Sequence, residues 1–347
     1  MAKIAIVTDS NSGITKKEAN ENGITVIPMP FTINGVEYLE DISLTQEQFY
    51  EKLADGADVS TSMPSLGFIE EKFSELLKEY DEIVYIPMSS GLSSSCHSAK
   101  MFVEDSDFSK KVEVVDNKRI SVTQRQAALD AIRLCNEGKS ARQIREILEE
   151  DAENSSIYIM LDTLYYLKKG GRITAAAAAI GTILRIKPVL QIQGDKLDAF
   201  AKARTSAHGK RIMMNAIRDD AFKRFGPLTP DNVIIAAAYT YDKEAAAEWK
   251  KELEAEFPGF VVHMSPLSLS VSCHIGPGAI AVTITKKLKT GSDSQQAVGG
   301  YTVELGEKEK AKEKARIEKE AQKKRKWEEK QQRIREKEAW KDAKSRK

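Results

Sequence analysis

Four short stretches concentrate hydroxyls, glycine or a lone histidine: "TDSNSG" (residues 8–13), "STSMPS" (60–65), "SSGLS" (89–93) and "HIGPGA" (274–279). Such side chains serve two chemistries. A serine beside a base is a nucleophile. Hydroxyls and helix N-terminal N–H groups at a strand-to-helix junction form a cradle for an anion. The nucleophile needs more than the residues around Ser93 supply. The elbow of α/β-hydrolases is G-x-S-x-G, and "GLSSS" keeps its first glycine but lacks the second. His97 and His274 are the available bases, and no local pattern ties either to an acid.

Other chemistries find little support. His97, His208, His263 and His274 have no zinc spacing, and no G-x-x-x-x-G-K-[ST] stretch occurs. "GPGAIA" fits the letters of a dinucleotide fingerprint, but a strand pattern follows it where a helix is required. Asp9 heads "DSN", without the second aspartate of phosphotransferase loops, so an Asx turn suits it at least as well as catalysis. Ser62 or Ser65 can cap a helix. In "HIGPGA" two glycines and a proline force a turn on which His274 can donate to an anion. In "LYYLKKGGRITAAAAAIGTILRIKP" a helix stops at Gly170-Gly171, Thr174 caps the next helix, and Ala175 to Ala179 allow close approach by a helix or a slim apolar ligand. Lys168, Lys169, Arg172 and Arg204 form a basic rim or a solvated face.

The elements that must position these residues alternate. "KIAIVTDS", "ITVIPMPFTI", "EIVYIPMSS", "VEVVDN" and "IYIMLDT" read as strands. Between them, "TQEQFYEKLADG", "SLGFIEEKFSELLKEY" and "SVTQRQAALDAIRLCNEG" have helical periodicity. Apolar strands alternating with helices predict a parallel sheet covered on both faces. Ligands of such sheets bind at the strand C-termini, where the first and third clusters fall. The second half has a hairpin signal at Gly194-Asp195 in "KPVLQIQGDKLDAFAKA", strands "NVIIAAAYT", "GFVVHMSP" and "AIAVTITKK", and long helices between them. The expectation is an α/β protein of two α/β domains, 1–154 with a mainly parallel sheet and 155–289 with a mixed sheet. A linker (290–303) and a charged helical tail (304–347) follow.

The chain has 347 residues, a net charge of +1 and three cysteines. The sparse, odd cysteine count argues against a disulfide framework. No apolar run is long enough to span a bilayer, and the N-terminus has no signal-peptide layout, so a cytoplasmic location is expected. The net charge conceals an asymmetry. Residues 304–347 hold 18 Lys+Arg and 11 Asp+Glu, a net +7, which leaves 35 basic and 41 acidic residues before them. Glu and Lys recur there at four-residue spacing. A solvated helix is the default for that segment, and its charge and two tryptophans allow contact with an anionic membrane surface.

Taken together and in order, "TDS", "TSMPS", "SSGLS", "LKKGGRI", "KART" and "HIGPGA" resemble the DegV family, over about residues 3–289. That family includes the fatty-acid-binding subunits of bacterial fatty acid kinase. The resemblance implies two α/β domains with a ligand tunnel between them, holding one long-chain fatty acid. It implies Thr61, Ser93 and His274 as ligands of the carboxylate. Ser62 and Gly91 would shape the pocket, and Gly276 and Gly278 the histidine turn. Arg172 and Arg204 would face a partner kinase that phosphorylates the bound acid. The protein would then be a carrier and not an enzyme, with no metal, no cofactor beyond the fatty acid and no nucleic acid partner. Family members usually continue the third cluster as "SSGLSGT"; here Ser94-Ser95-Cys96-His97 follow, which bears on helix entry or chain preference. Two other readings stay open: a small-molecule enzyme of serine-hydrolase type using Ser93, and a scaffold with a membrane-binding tail.

Overall fold

The computed structural model describes residues 2–40, 42–174, 186–194 and 196–289. The expected linker and tail, the alanine run and Asp195 of the expected hairpin lie outside the described residues. Residues 2–289 belong to one compact unit built on three sheets.

The first sheet is wholly parallel. Its strands are β1 (Ile4–Asp9), β2 (Ile24–Ile27), β6 (Glu82–Ile86) and β7 (Val112–Val114), in the order β2-β1-β6-β7. Both faces are covered, which is why these strands read as continuous apolar runs. Ala5, Val7, Ile83 and Tyr85 pack on one side with α3 (Leu66–Leu76) and α4 (Ser95–Glu104). Ile6, Val84 and Ile86 pack on the other with α5 (Val122–Asn136) and α6 (Ala141–Glu150).

"ITVIPMPFTI", expected as one strand, is two. β2 ends at Ile27, and β3 (Pro30–Ile33) belongs to a separate antiparallel sheet, β4-β3-β5, with β4 (Val36–Leu39) and β5 (Val59–Thr61). Pro28 and Pro30 have no N–H to give a ladder, so the chain leaves the first sheet between them.

The third sheet is mixed, in the order β10-β9-β8-β13-β11-β12. Its strands are β8 (Ser155–Met160), β9 (Lys187–Ile192), β10 (Leu197–Ala203), β11 (Val233–Tyr239), β12 (His263–Pro266) and β13 (Ile280–Lys286). β9 and β10 form the expected antiparallel hairpin, and β11 with β12 is the parallel pair. The expected α/β class therefore holds, with a parallel first sheet and a mixed larger one.

The two faces of the mixed sheet differ in bulk. One packs Tyr158, Met160, Ile235, Val282 and Ile284 against Trp249 of α9 (Lys243–Glu256) and Met213 and Ile217 of α8 (Ser206–Asp220). Trp249 is fully buried and its indole N–H donates to Ala281 O at 3.1 Å. The opposite face carries Ile157, Ile159, Ala236, Ala238 and Ala281. Small side chains on β11 and β13, at the centre of the sheet, leave space there.

One buried ion pair anchors the chain where it passes from the first sheet toward the mixed one. Arg119, 1% exposed, donates through Nη2 to Asp151 Oδ2 and to Asp151 O, both at 2.7 Å. Removing one member of a buried pair leaves the other charge uncompensated. Arg119→Ala is expected to lower the unfolding free energy by about 3–5 kcal/mol. The double change Arg119→Met with Asp151→Leu should cost clearly less. Urea unfolding of the two variants checks this; equal losses would contradict it.

Candidate functional site

A cavity of about 250 Å³ lies against the small-residue face of the mixed sheet and reaches loops of the other two sheets. Much of its lining is apolar: Ile157, Ile159, Ile192 and Leu197 from the mixed sheet face Met29, Met88 and Ile120 from the N-terminal half, with Asn11, Ser121, Ser270 and Thr283 as buried polar lining residues. Its mouth is polar and open to solvent at Ser62, Met63, Ser94 and Arg172. Arg172 is the one permanently charged side chain among the described lining residues.

Thr61 and His274 meet at this site, 213 residues apart in sequence, with Thr61 Oγ1 and His274 Nε2 at 2.9 Å. Thr61 is the last residue of β5, fixed opposite Phe31 of β3. His274 lies in the last turn of α10 (Leu269–Ile275), which Gly276 ends with φ +75°. One glycine makes room for it and another for a neighbouring ring. A Cβ on Gly170 would collide with the imidazole at Nδ1, and a Cβ on Gly276 would collide with the Tyr166 ring. Gly278, with φ +79°, lies where a Cβ would come 2.7 Å from Asp162 Oδ2.

Burial, and secondarily the Arg172 guanidinium, push the His274 pKa down to about 4. The imidazole is therefore neutral at pH 7. Its Nδ1 is buried and has no hydrogen-bond partner among the described residues, while Nε2 faces Thr61. A neutral imidazole and a hydroxyl in contact can reorient to present two donors to an anion, with the Arg172 guanidinium as the fixed positive charge of the same cavity.

The four clusters divide in their roles. Thr61, Ser62, Ser93, His274 and Arg172 all line the cavity. Gly91, Gly276, Gly278 and Arg204 do not. Gly91 sits in the turn after β6, where its N–H donates to Ser89 Oγ at 3.2 Å. Arg204 is exposed between β10 and α8. Ser65 caps α3 by accepting from Phe68 N. Asp9 is fully buried and accepts from Asn11 N, Met88 N and the Gln124 amide. Burial raises its pKa to about 6 against those hydrogen bonds. The Asx turn is thus realised, and Asp9 ties the loops after β1 and β6 together. The family departure at 94–97 falls partly on the cavity: Ser94 lines its mouth, Cys96 is on the buried face of α4 against the first sheet and His97 is exposed.

Ser93 Oγ accepts from Ser95 N at 3.2 Å. His274 Nε2 is engaged with Thr61, and among the described residues no histidine is hydrogen-bonded to Ser93. No group of three potential metal ligands occurs among the described residues. No described helix is long and apolar enough to cross a membrane.

Asn11, Met63, Ser94, Ser121 and Ser270 also line the cavity, and reading the sequence did not single them out as ligands. Asn11 lies inside "TDSNSG", where Asp9 drew the attention. Ser270 had a usable signal: it stands four residues before His274, hence on the same face of α10.

A model of the DegV family, described as uncharacterised proteins, matches residues 3–287. The chain belongs to the DegV family. A DegV domain-containing protein of Staphylococcus aureus strain N315 is 31% identical over 291 residues, 83% of this chain and 100% of that protein. Protein DegV of Bacillus subtilis is 31% identical over 284 residues, 80% of this chain and 98% of that one. The crystal structure of DegV from Bacillus subtilis, described as a fatty acid binding protein, superposes with a TM-score of 0.74 at 30% identity, covering 83% of this chain and 100% of that one. A DegV family protein from Thermus thermophilus, described by its fatty acid binding, gives 0.74 at 27% identity, covering 82% and 100%.

The depressed His274 pKa has a consequence for this DegV-family chain. In the unfolded chain the imidazole takes up a proton near pH 6.5; in the fold it does so near 4. Its contribution to stability is complete above pH 6.5 and is lost as pH falls toward 4. Asp9, raised from 3.8 to about 6, works in the opposite sense: its contribution is present below 3.8 and lost as pH rises through 6. Comparison with a variant isolates the histidine. Ligand-free wild type should lose roughly 2 kcal/mol more than His274→Gln between pH 7.5 and pH 5, at about 1.4 kcal/mol per pKa unit. Urea unfolding at the two pH values measures it, and parallel losses would contradict the assignment.

Proposed function

We propose that the protein binds one long-chain fatty acid in this cavity and presents its carboxylate to a partner kinase for acyl-phosphate formation. The Thr61–His274 pair beside a largely apolar cavity carries the reading. Each methylene taken out of water contributes about 0.8 kcal/mol, so the chain supplies most of the affinity. The carboxylate loses its hydration and must be hydrogen-bonded in return. In this reading Thr61, Ser93 and His274 provide the donors, Ser62 shapes the mouth and Gly91, Gly276 and Gly278 hold the turns. The fatty acid binding described for the Bacillus subtilis and Thermus thermophilus proteins supports it.

The kinase part of the proposal rests on the mouth. A carboxylate held at Thr61 lies near solvent, where one of its oxygens can attack the γ-phosphorus of ATP with ADP leaving. Arg172 and Arg204, both exposed, suit a surface that docks an ATP-bearing partner. The chemistry is then the kinase's, and this chain acts in the cytoplasm as carrier. The +7 charge of residues 304–347 suits a contact with anionic headgroups during loading.

Organic extraction of the purified protein followed by mass spectrometry should yield a long-chain fatty acid. Delipidated protein should bind palmitate on calorimetric titration. Thr61→Val should weaken binding about tenfold or more, the worth of a hydrogen bond to a charged group. Ala281→Leu, which fills the cavity, should weaken it further. Absence of both extracted lipid and binding would overturn the proposal. For the kinase step, hydroxylamine trapping should reveal acyl phosphate only when a kinase subunit, ATP and this protein are combined. Arg204→Glu should lower that yield with palmitate still bound; an unchanged yield would remove Arg204 from the docking surface.

A further inference from the structure

Ser121 occupies the N-cap position of α5, a fifteen-residue helix, yet it does not cap it. Thr45, Ser65, Ser140 and Thr205 stand at the same position of their helices, and each accepts a backbone N–H from the first turn. Ser121 has φ 57° and ψ −141°, which turns its side chain away from that N–H. The backbone is fixed on both sides. Ser121 N donates to Asn11 O at 2.9 Å, and Ser121 O accepts from Arg125 N at 2.9 Å. The residue is 5% exposed, lines the cavity, and its Oγ has no hydrogen-bond partner among the described residues.

Glycine would serve this position better on two counts. It adopts positive φ without strain, and it would bury no unpaired hydroxyl. A plain hydrocarbon chain lying against Ser121 would leave Oγ unpaired beside Ile120 and Ile157. Two further polar groups line the same cavity in its buried part. Asn11 Oδ1 accepts from Ser270 Oγ at 2.5 Å, and Asn11 O holds the Ser121 N–H. Ser270 and His274 lie about one turn apart on α10, roughly 5.4 Å along its axis. Asn11, Ser121 and Ser270 are buried, whereas Thr61 and His274 are only half-buried, so the cavity has a second, more enclosed polar group of residues.

We infer that the cavity selects a fatty acid carrying a hydroxyl group on its chain, with Ser121 Oγ as its hydrogen-bond partner and Asn11 and Ser270 beside it. The inference rests on the fatty-acid reading and names its substrate class more closely. A chain hydroxyl both donates and accepts, so it satisfies Ser121 in whichever sense the other neighbours leave open.

Matched pairs test it on the delipidated full chain by calorimetric competition: stearate against 10-hydroxystearate, oleate against ricinoleate, and palmitate against 3-hydroxypalmitate. At least one hydroxy acid should bind about tenfold more tightly than its parent, the net worth of one hydrogen bond. Ser121→Gly, compatible with the backbone, should bring that ratio close to one, and Ser121→Ala should do the same. Hydroxy acids that bind no more tightly than their parents would overturn the inference and leave the fatty-acid reading standing; a resident water would then satisfy Ser121. A preference that survives Ser121→Gly would overturn it too. Failure of all six acids to bind would overturn the fatty-acid reading and this inference together.

Discussion

The contact between Thr61 and His274 joins two distant parts of the chain; in the proposed function it supplies the hydrogen-bond donors that a carboxylate leaving water must find. Much of the fold serves that contact. The three-stranded sheet exists between the helices of the first half and delivers Thr61 at the end of β5. The short helix α10 delivers His274, and it can end where it does because Gly276 takes a positive φ beside the Tyr166 ring. A lysine or arginine in place of the histidine would bind a carboxylate as a permanent ion pair. A neutral imidazole, held so by its burial, offers a hydrogen bond and no charge, which under the proposed function suits an acid that is to be handed on.

The space of the cavity comes from composition. The central strands of the mixed sheet put bulky residues toward α8 and α9, where Trp249 fills the core, and alanines toward the cavity. The same alternation that makes a half-buried strand thus makes one face a packed core and the other a wall of a void. Arg119 and its buried partner Asp151 fix the segment that carries Ile120 and Ser121 into that wall.

Some of this was legible in the sequence. The continuous apolar runs of β1, β6 and β8 give their burial directly. Ile157 and Ile159 face the cavity, while Tyr158 and Met160 face the packed side. The hydroxyl clusters marked the mouth because strand-to-helix junctions of parallel sheets gather at one edge. The three-stranded sheet was not legible: β4 and β5 are short, half-polar strands whose pairing depends on partners distant in sequence. The split of "ITVIPMPFTI" turned on two prolines within a run otherwise well suited to one strand. Asn11, Ser121 and Ser270 were hidden for another reason. Serine before a helix ordinarily reads as a cap, and only the positive φ of Ser121 reveals that it is none.

The central claim is that the carboxylate of a fatty acid sits at Thr61 and His274. Nuclear magnetic resonance of palmitate labelled with ¹³C at its carboxyl group tests this most directly. The account predicts a single bound resonance, shielded from the titration seen for the free acid and shifted by Thr61→Val. A bound resonance that titrates like a solvent-exposed carboxyl and ignores Thr61→Val would contradict it.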